Sequence, residues 1–186
     1  TQLLVAQMAE AGGDSATWKD KAIGLLTVVV RVLVALRDRG VDERGEPFTF
    51  DVLALRRALP LDALIDWSLR AEYQVDGFTL PAAVQAGLQH YLDSVPGFRK
   101  PCQLWEQQSP EVPFTAEVIR ARSYPTQPEP QTYVQHGYLI NQFNRMLTQL
   151  ADVYGHIYRV RQGEVDFADL VLNRRILLVQ LPTLEK

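Results

Sequence analysis

The chain is poor in the residues that most active sites require. Cys102 is its sole cysteine, so no internal disulfide can form, which fits a reducing compartment. The histidines are His90, His136 and His156. None stands at helical spacing from another, and without a cysteine pair a zinc site has no ligand set. The phosphate-cradling loop Gly-x-x-x-x-Gly-Lys-Ser/Thr is absent. Its nearest approach, Gly12-Gly13-Asp14-Ser15, lacks the lysine and the spacing and reads as a helix stop followed by a helix cap. No Gly-x-Ser-x-Gly elbow occurs, and no residue constellation argues for a hydrolase.

Basic charge is also scarce. A net charge of −3 and a pI of about 5.6 do not favour autonomous tight binding to DNA. Long apolar runs are missing too. The run from Ala22 to Leu36 carries Arg31, is followed at once by Arg37-Asp38-Arg39, and falls short of the roughly 20 residues that a spanning helix needs. An all-round apolar helix of this kind belongs in a core, so a buried central helix is expected. No charged region precedes a short apolar run at Thr1, so no secretory leader is expected, and the chain reads as a piece of something longer.

What remains is an ordinary folded composition, 47% apolar and 22% charged over 186 residues. That length suits one domain with a fragment of a second, and it buries roughly two-thirds of the unfolded surface. The patterning predicts a short helix over Thr1–Ala11, then a long one from a cap at Asp14 or Ser15 to Arg39. On the long helix Trp18, Ala22, Leu25, Val29, Leu33 and Leu36 form one stripe. Gly40 to Pro47 is a charged turn. Two short helices follow, Phe48 to Leu59 and Pro60 to Glu72, divided by Pro60. After the Asp76-Gly77 turn, Thr79 is expected to cap a helix with Pro81 in its first turn, closed by Pro96-Gly97.

From Phe98 to Pro130 periodicity fades among prolines, and an irregular connection is expected, with one helical turn near Ala116 to Arg122. A helix then runs from Gln131 to about Arg159, carrying Leu139, Phe143 and Leu150. Asp166 to Leu172 is a short helix or turn, and Ile176 to Leu181 a buried strand stopped by Pro182. A lone strand cannot satisfy its own backbone groups, so the end of the chain is expected to return to an α/β domain outside it.

Candidate functional residues are few. Trp18, Trp67 and Trp105 are capable of stacking on bases, but Trp18 and Trp67 share helical faces with other apolar residues, and core packing is the reading adopted. Asp62 and Asp66 read as part of a solvated helix face rather than an acid–base pair. Glu185, after the terminal strand, has no Asp-Glu context for magnesium. Arginines cluster at Arg56-Arg57, at Arg120 with Arg122, at Arg159 with Arg161, and at Arg174-Arg175. The Arg56, Arg57, Arg120, Arg122, Arg174 and Arg175 group forms the candidate partner-binding or DNA-binding set. Arg174-Arg175 can reach a phosphate at a subunit junction, or pair with Glu164, Asp166 and Asp169.

Two stretches carry a resemblance. The first is Ala6-Gln7-Met8-Ala9-Glu10-Ala11-Gly12-Gly13-Asp14 with Trp18-Lys19-Asp20-Lys21-Ala22. The second is Gln135-His136-Gly137-Tyr138-Leu139, Gln142-Phe143 and Leu150-Ala151-Asp152-Val153-Tyr154-Gly155-His156-Ile157, continued by Gly163-Glu164-Val165-Asp166 and the run Val171 to Lys186. Both resemble the type IV secretion and conjugation coupling proteins, in their TraD-like and DotL-like branches. The resemblance weakens from Gly45 to Pro130. It implies a mainly α fold: an all-α substrate-recognition insert over 1–165 and, over 166–186, a partial return to a RecA-like nucleotide-binding domain.

The implied parent is a membrane-anchored hexameric ATPase whose ATP and magnesium motifs lie outside this chain. The chain itself then has no cofactor and no catalytic residue. The resemblance further implies a monomeric cytoplasmic domain of an inner-membrane protein, without direct membrane contact. Implied partners are relaxase or relaxosome, effector–adaptor proteins, DNA, and the rest of the coupling ATPase. The competing reading is a free-standing helical DNA-binding domain like the core-binding half of a tyrosine recombinase, which the acidic balance and the orphan strand oppose.

Overall fold

Helix α1, Asp14–Arg39, is the element around which the others assemble. The structure is a computed structural model that describes residues 14–153 and 167–174. The expected stripe is buried: Ala22, Leu25, Val29, Leu33 and Leu36 are all essentially inaccessible, joined by Leu26 and Val32. Each fully buried Leu or Val contributes about 1.5–3 kcal/mol, so this stripe is a principal source of stability. Arg31, Arg37 and Arg39 stay exposed, giving the long apolar run a wet edge. No helix among the described residues is long and apolar enough to cross a membrane.

After the turn, whose ends Val41 and Pro47 form an isolated antiparallel bridge, come α2 (Val52–Ala58) and α3 (Leu61–Glu72). The first of these starts later than expected. Asp51 caps it, its carboxylate accepting the Ala54 N–H at 2.7 Å, which holds the residues before it outside the helix. A 3₁₀ turn, Val75–Gly77, leads to α4, Ala82–Ser94. Thr79 does not cap α4. Pro81 occupies the cap position, where its ring has no polar atom to cap with and its fixed φ suits the entry to the helix.

The stretch 98–130 is more ordered than its prolines suggest. It holds α5, Pro101–Gln108, and α6, Ala116–Arg120. Pro101 sits in the first turn of α5, where its missing N–H costs nothing. The helix is too short for a periodic signal, and only Pro101 and Leu104 are buried. The stretch is pinned at both ends by one side chain. Gln127 accepts the Arg99 N–H through Oε1 and donates to the Arg99 carbonyl through Nε2, both at 2.8 Å.

Helix α7, Pro130–Thr148, passes into a π-helical turn at Gln149–Val153, and α8 spans Phe167–Leu172. α1 packs against α4, α7 and α2, and α3 packs against α4 and α6. Among the described residues there is no sheet. The expected Thr1–Ala11 helix, the Gly12-Gly13 stop, the end of the long helix beyond Val153, the Ile176–Leu181 strand, Arg175 and Glu185 lie outside the described residues.

Candidate functional site

One cavity is a cleft of about 670 Å³, within the roughly 300–1,000 Å³ of small-ligand sites. Its walls are α2, α3, the end of α1 and the Asp42–Pro47 turn, with Arg122 reaching in from beyond α6. Each wall has a local cause. In the turn, Asp42 Oδ1 accepts the N–H groups of Arg44 and Glu46 at 2.8 and 2.9 Å, an Asx-type closure. Glu43 takes the indole N–H of Trp67 at 3.1 Å, tying the turn to α3.

The floor is α3, buried on every side from Leu64 to Ala71. Its polar residues must therefore find partners inside the protein. Asp66 is 1% exposed, which corrects its assignment to a solvated face. Its Oδ2 accepts from Arg70 Nε at 3.0 Å, one turn along the helix, and from Arg122 Nη2 at 2.8 Å. Arg70 reaches on to Asp76 at 3.7 Å, and Asp76 takes Arg120 at 2.7 Å. The order Arg122–Asp66–Arg70–Asp76–Arg120 is a ladder of alternating charge joining α3, the 3₁₀ turn and α6. The Arg120 hydrogen bond holds the Asp76 carboxyl below the usual range. Burial is the largest single influence on Arg122 and works against its charge, but the hydrogen bond to Asp66 and the nearby negative charge of Asp66 and Glu43 together leave that guanidinium harder to deprotonate than usual.

Arg122 reaches Asp66 from an unusual backbone position. α6 ends in a Schellman motif, with Ser123 N–H bonded to the Val118 carbonyl and Arg122 N–H to the Ile119 carbonyl. Glycine usually fills the left-handed position of this motif, but here Arg122 does, at φ +52°. A non-glycine residue there costs roughly 1–2 kcal/mol, and in this position the guanidinium reaches the buried Asp66 carboxylate.

Of the arginines singled out in the sequence, the fold brings Arg57 and Arg122 to this cleft. Arg56 points elsewhere and pairs with Asp152 at 3.2 Å, both half-exposed. Arg120 lies on the far end of the ladder. Arg174 is exposed past the end of α8, at φ +50°. Trp67 packs in the core as expected. Trp18 is half-buried, edge-on to Tyr138, and Trp105 is half-buried with its indole N–H on the Val112 carbonyl.

Sequence reasoning missed Arg70, Tyr91 and the inward role of Asp66. The available signal was the Asp66/Arg70 pair at i, i+4 inside a helix that leaves no polar face. Asp62, exposed at the cleft, accepts the Tyr133 hydroxyl at 2.9 Å. Burial and that bond push the Tyr133 phenol up to about 12.

A second, more apolar pocket of about 340 Å³ opens between α1, α4 and α7, beside Trp18, Val28, Tyr91 and Leu139. His136 lines it, buried, with its own partners satisfied within the protein.

No family model matches the chain, and no solved structure matches it. Over 191 aligned residues it is 34% identical to the type 4 coupling protein DotL of Legionella pneumophila subsp. pneumophila. The match takes in the whole of this chain, which spans 21% of that relative's length. The chain is thus a coupling-protein-like, mainly helical segment.

Proposed function

We propose that this coupling-protein-like segment is the substrate-facing helical domain of a type IV secretion coupling ATPase. It recruits cargo, a relaxase–DNA complex or an effector with its adaptor, and hands it to the secretion channel. The observation that supports the reading is the identity to DotL along the entire chain, by a piece that is only a fifth of that protein. On this reading residues 1–165 form the recognition insert and 166–186 return to the nucleotide-binding domain. ATP and magnesium are then handled by the parent's own motifs, in a hexamer held at the cytoplasmic face of the inner membrane.

The division of labour is physically sensible. Phosphoryl transfer needs a phosphate loop on a rigid sheet edge, whereas cargo selection needs a projecting surface that can differ between systems. The charged cleft, with Arg57 and Arg122 at it, and the surface that carries Arg56 and Arg120 form the docking face of this proposal.

Affinity capture of relaxosome or adaptor components on the purified chain tests it. Capture is expected, and Glu substitutions at Arg56, Arg57 and Arg120 are expected to weaken it. If nothing is captured, the recruiting role falls. Capture that ignores all three reversals would remove these basic residues from the docking face.

A further inference from the structure

We propose that the α3 cleft receives an arginine side chain of a partner polypeptide, its guanidinium bridging the free carboxylate oxygens of Asp62 and Asp66. In naming a polypeptide as the partner, this rests on the cargo-recruiting reading. The chemistry of the site rests on the cleft itself.

The first observation is a missing donor. Asp66 Oδ1 is buried and has no hydrogen-bond partner, while Oδ2 of the same carboxylate takes both Arg70 and Arg122. A buried carboxylate oxygen without a donor costs about 1–3 kcal/mol, and a ligand that supplies an N–H recovers it. Asp66 is one of the residues that line the cleft.

The second is the balance of charge around the cavity. Asp42, Asp51 and Asp62 take their hydrogen bonds from backbone N–H groups or from the Tyr133 hydroxyl, all neutral donors. Glu43 takes the Trp67 indole, with Arg44 at 3.8 Å. Five carboxylates (Asp42, Glu43, Asp51, Asp62, Asp66) and three arginines (Arg44, Arg57, Arg122) line this cavity, and Arg70 on Asp66 adds a fourth cation behind the wall, 4 − 5 = −1. Arg44 and Arg57 are exposed, where water screens them, and Arg122 is committed to Asp66. The cleft as a whole selects a cation.

The third is spacing. Asp62 and Asp66 are one turn apart on α3, roughly 5–6 Å between Cβ atoms. Asp62 Oδ1 holds the Tyr133 hydroxyl, and its Oδ2 has no donor among the described residues. A planar guanidinium with five donors in a fixed fork can address both free oxygens at once. An ammonium is a point donor and cannot do so with the same economy.

The test uses the full 186-residue chain and a blocked Ala-Arg-Ala peptide, with citrulline, lysine and glutamate replacing the arginine in its controls. The reporter is the Trp67 indole N–H resonance, which sits on Glu43 in the cleft wall. The arginine peptide is expected to shift it saturably, about tenfold more tightly than any control. Asp62→Asn, an exposed position that keeps an acceptor for Tyr133, is expected to weaken binding roughly fivefold with the thermal midpoint unchanged. No saturable shift, equal binding of the citrulline or lysine peptide, or an unaltered affinity in Asp62→Asn would each overturn the proposal. Cargo capture without arginine-peptide binding would sink this inference alone. Peptide binding without any cargo capture would sink the recruiting role and leave the cleft chemistry standing.

Discussion

The Tyr91 hydroxyl lies 2.9 Å from Nδ1 of His136, and the opposite nitrogen of the same ring lies 2.7 Å from the Leu59 carbonyl. A carbonyl can only accept, so Nε2 carries a proton, and burial disfavours a second one on the ring, which leaves Nδ1 to accept from the tyrosine. The ring is therefore neutral and ties α4, α7 and the α2–α3 junction together.

Stability is expected to fall with acid through this ring. Burial lowers the His136 pKa, so the unfolded chain binds a proton first, near the ordinary value of about 6.5. The contribution is complete above that value and is lost as pH drops through it toward the depressed folded value. Urea midpoints measured between roughly pH 7.5 and 5 should decline, and in His136→Gln that part of the slope should vanish. An unchanged slope would refute the assignment.

Arg70→Met should destabilise the chain by about 3 kcal/mol, because it leaves buried Asp66 with only a half-exposed partner. The double variant Asp66→Leu/Arg70→Met should recover most of that loss, since an apolar pair removes the uncompensated charge. Chemical denaturation of the two variants reads the difference. A double variant as unstable as the single would place the cost in packing instead.

Gly97 and Thr132 should respond in opposite directions. Gly97 holds φ +74°, and a Cβ there would meet Glu129 Oε2 at 2.6 Å and Thr132 Oγ1 at 2.8 Å. Gly97→Ala is expected to cost about 1–2 kcal/mol. The Thr132 hydroxyl is buried without a partner, so Thr132→Val should be neutral or stabilise by up to about 1 kcal/mol. Thermal melts of both variants decide it.

Arg56→Ala should leave stability within about 0.5 kcal/mol, since its pairing with Asp152 is exposed on both sides. Any loss of cargo capture in that variant then reports on docking, not folding. A large drop in the melting midpoint would show the pair to be structural.

The sequence was most legible where a helix is long or sharply punctuated. The α1 stripe and its end at Arg39, the break at Pro60 and the single turn at Ala116 follow from periodicity, glycine and proline. α5 was hidden because one buried leucine in two turns gives no period. The cleft was hidden for a different reason. Asp66 and Arg70 look like a surface pair until α4 and α6 cover α3, and only that tertiary burial turns them into the centre of a charge ladder. Arg57 and Arg122 were flagged as basic spots, but their meeting at one cavity joins residues far apart in the chain.

The Gln127 clamp has an evolutionary corollary. Because its amide reads the main chain of Arg99 and not a side chain, only one position needs to be specified to keep the two ends together. Between α5 and α6 the exposed residues 110–113 are then free to change while Leu104, Ile119 and Arg122 hold the rest of the excursion to the scaffold. Changes confined to that exposed stretch leave the scaffold beneath it untouched.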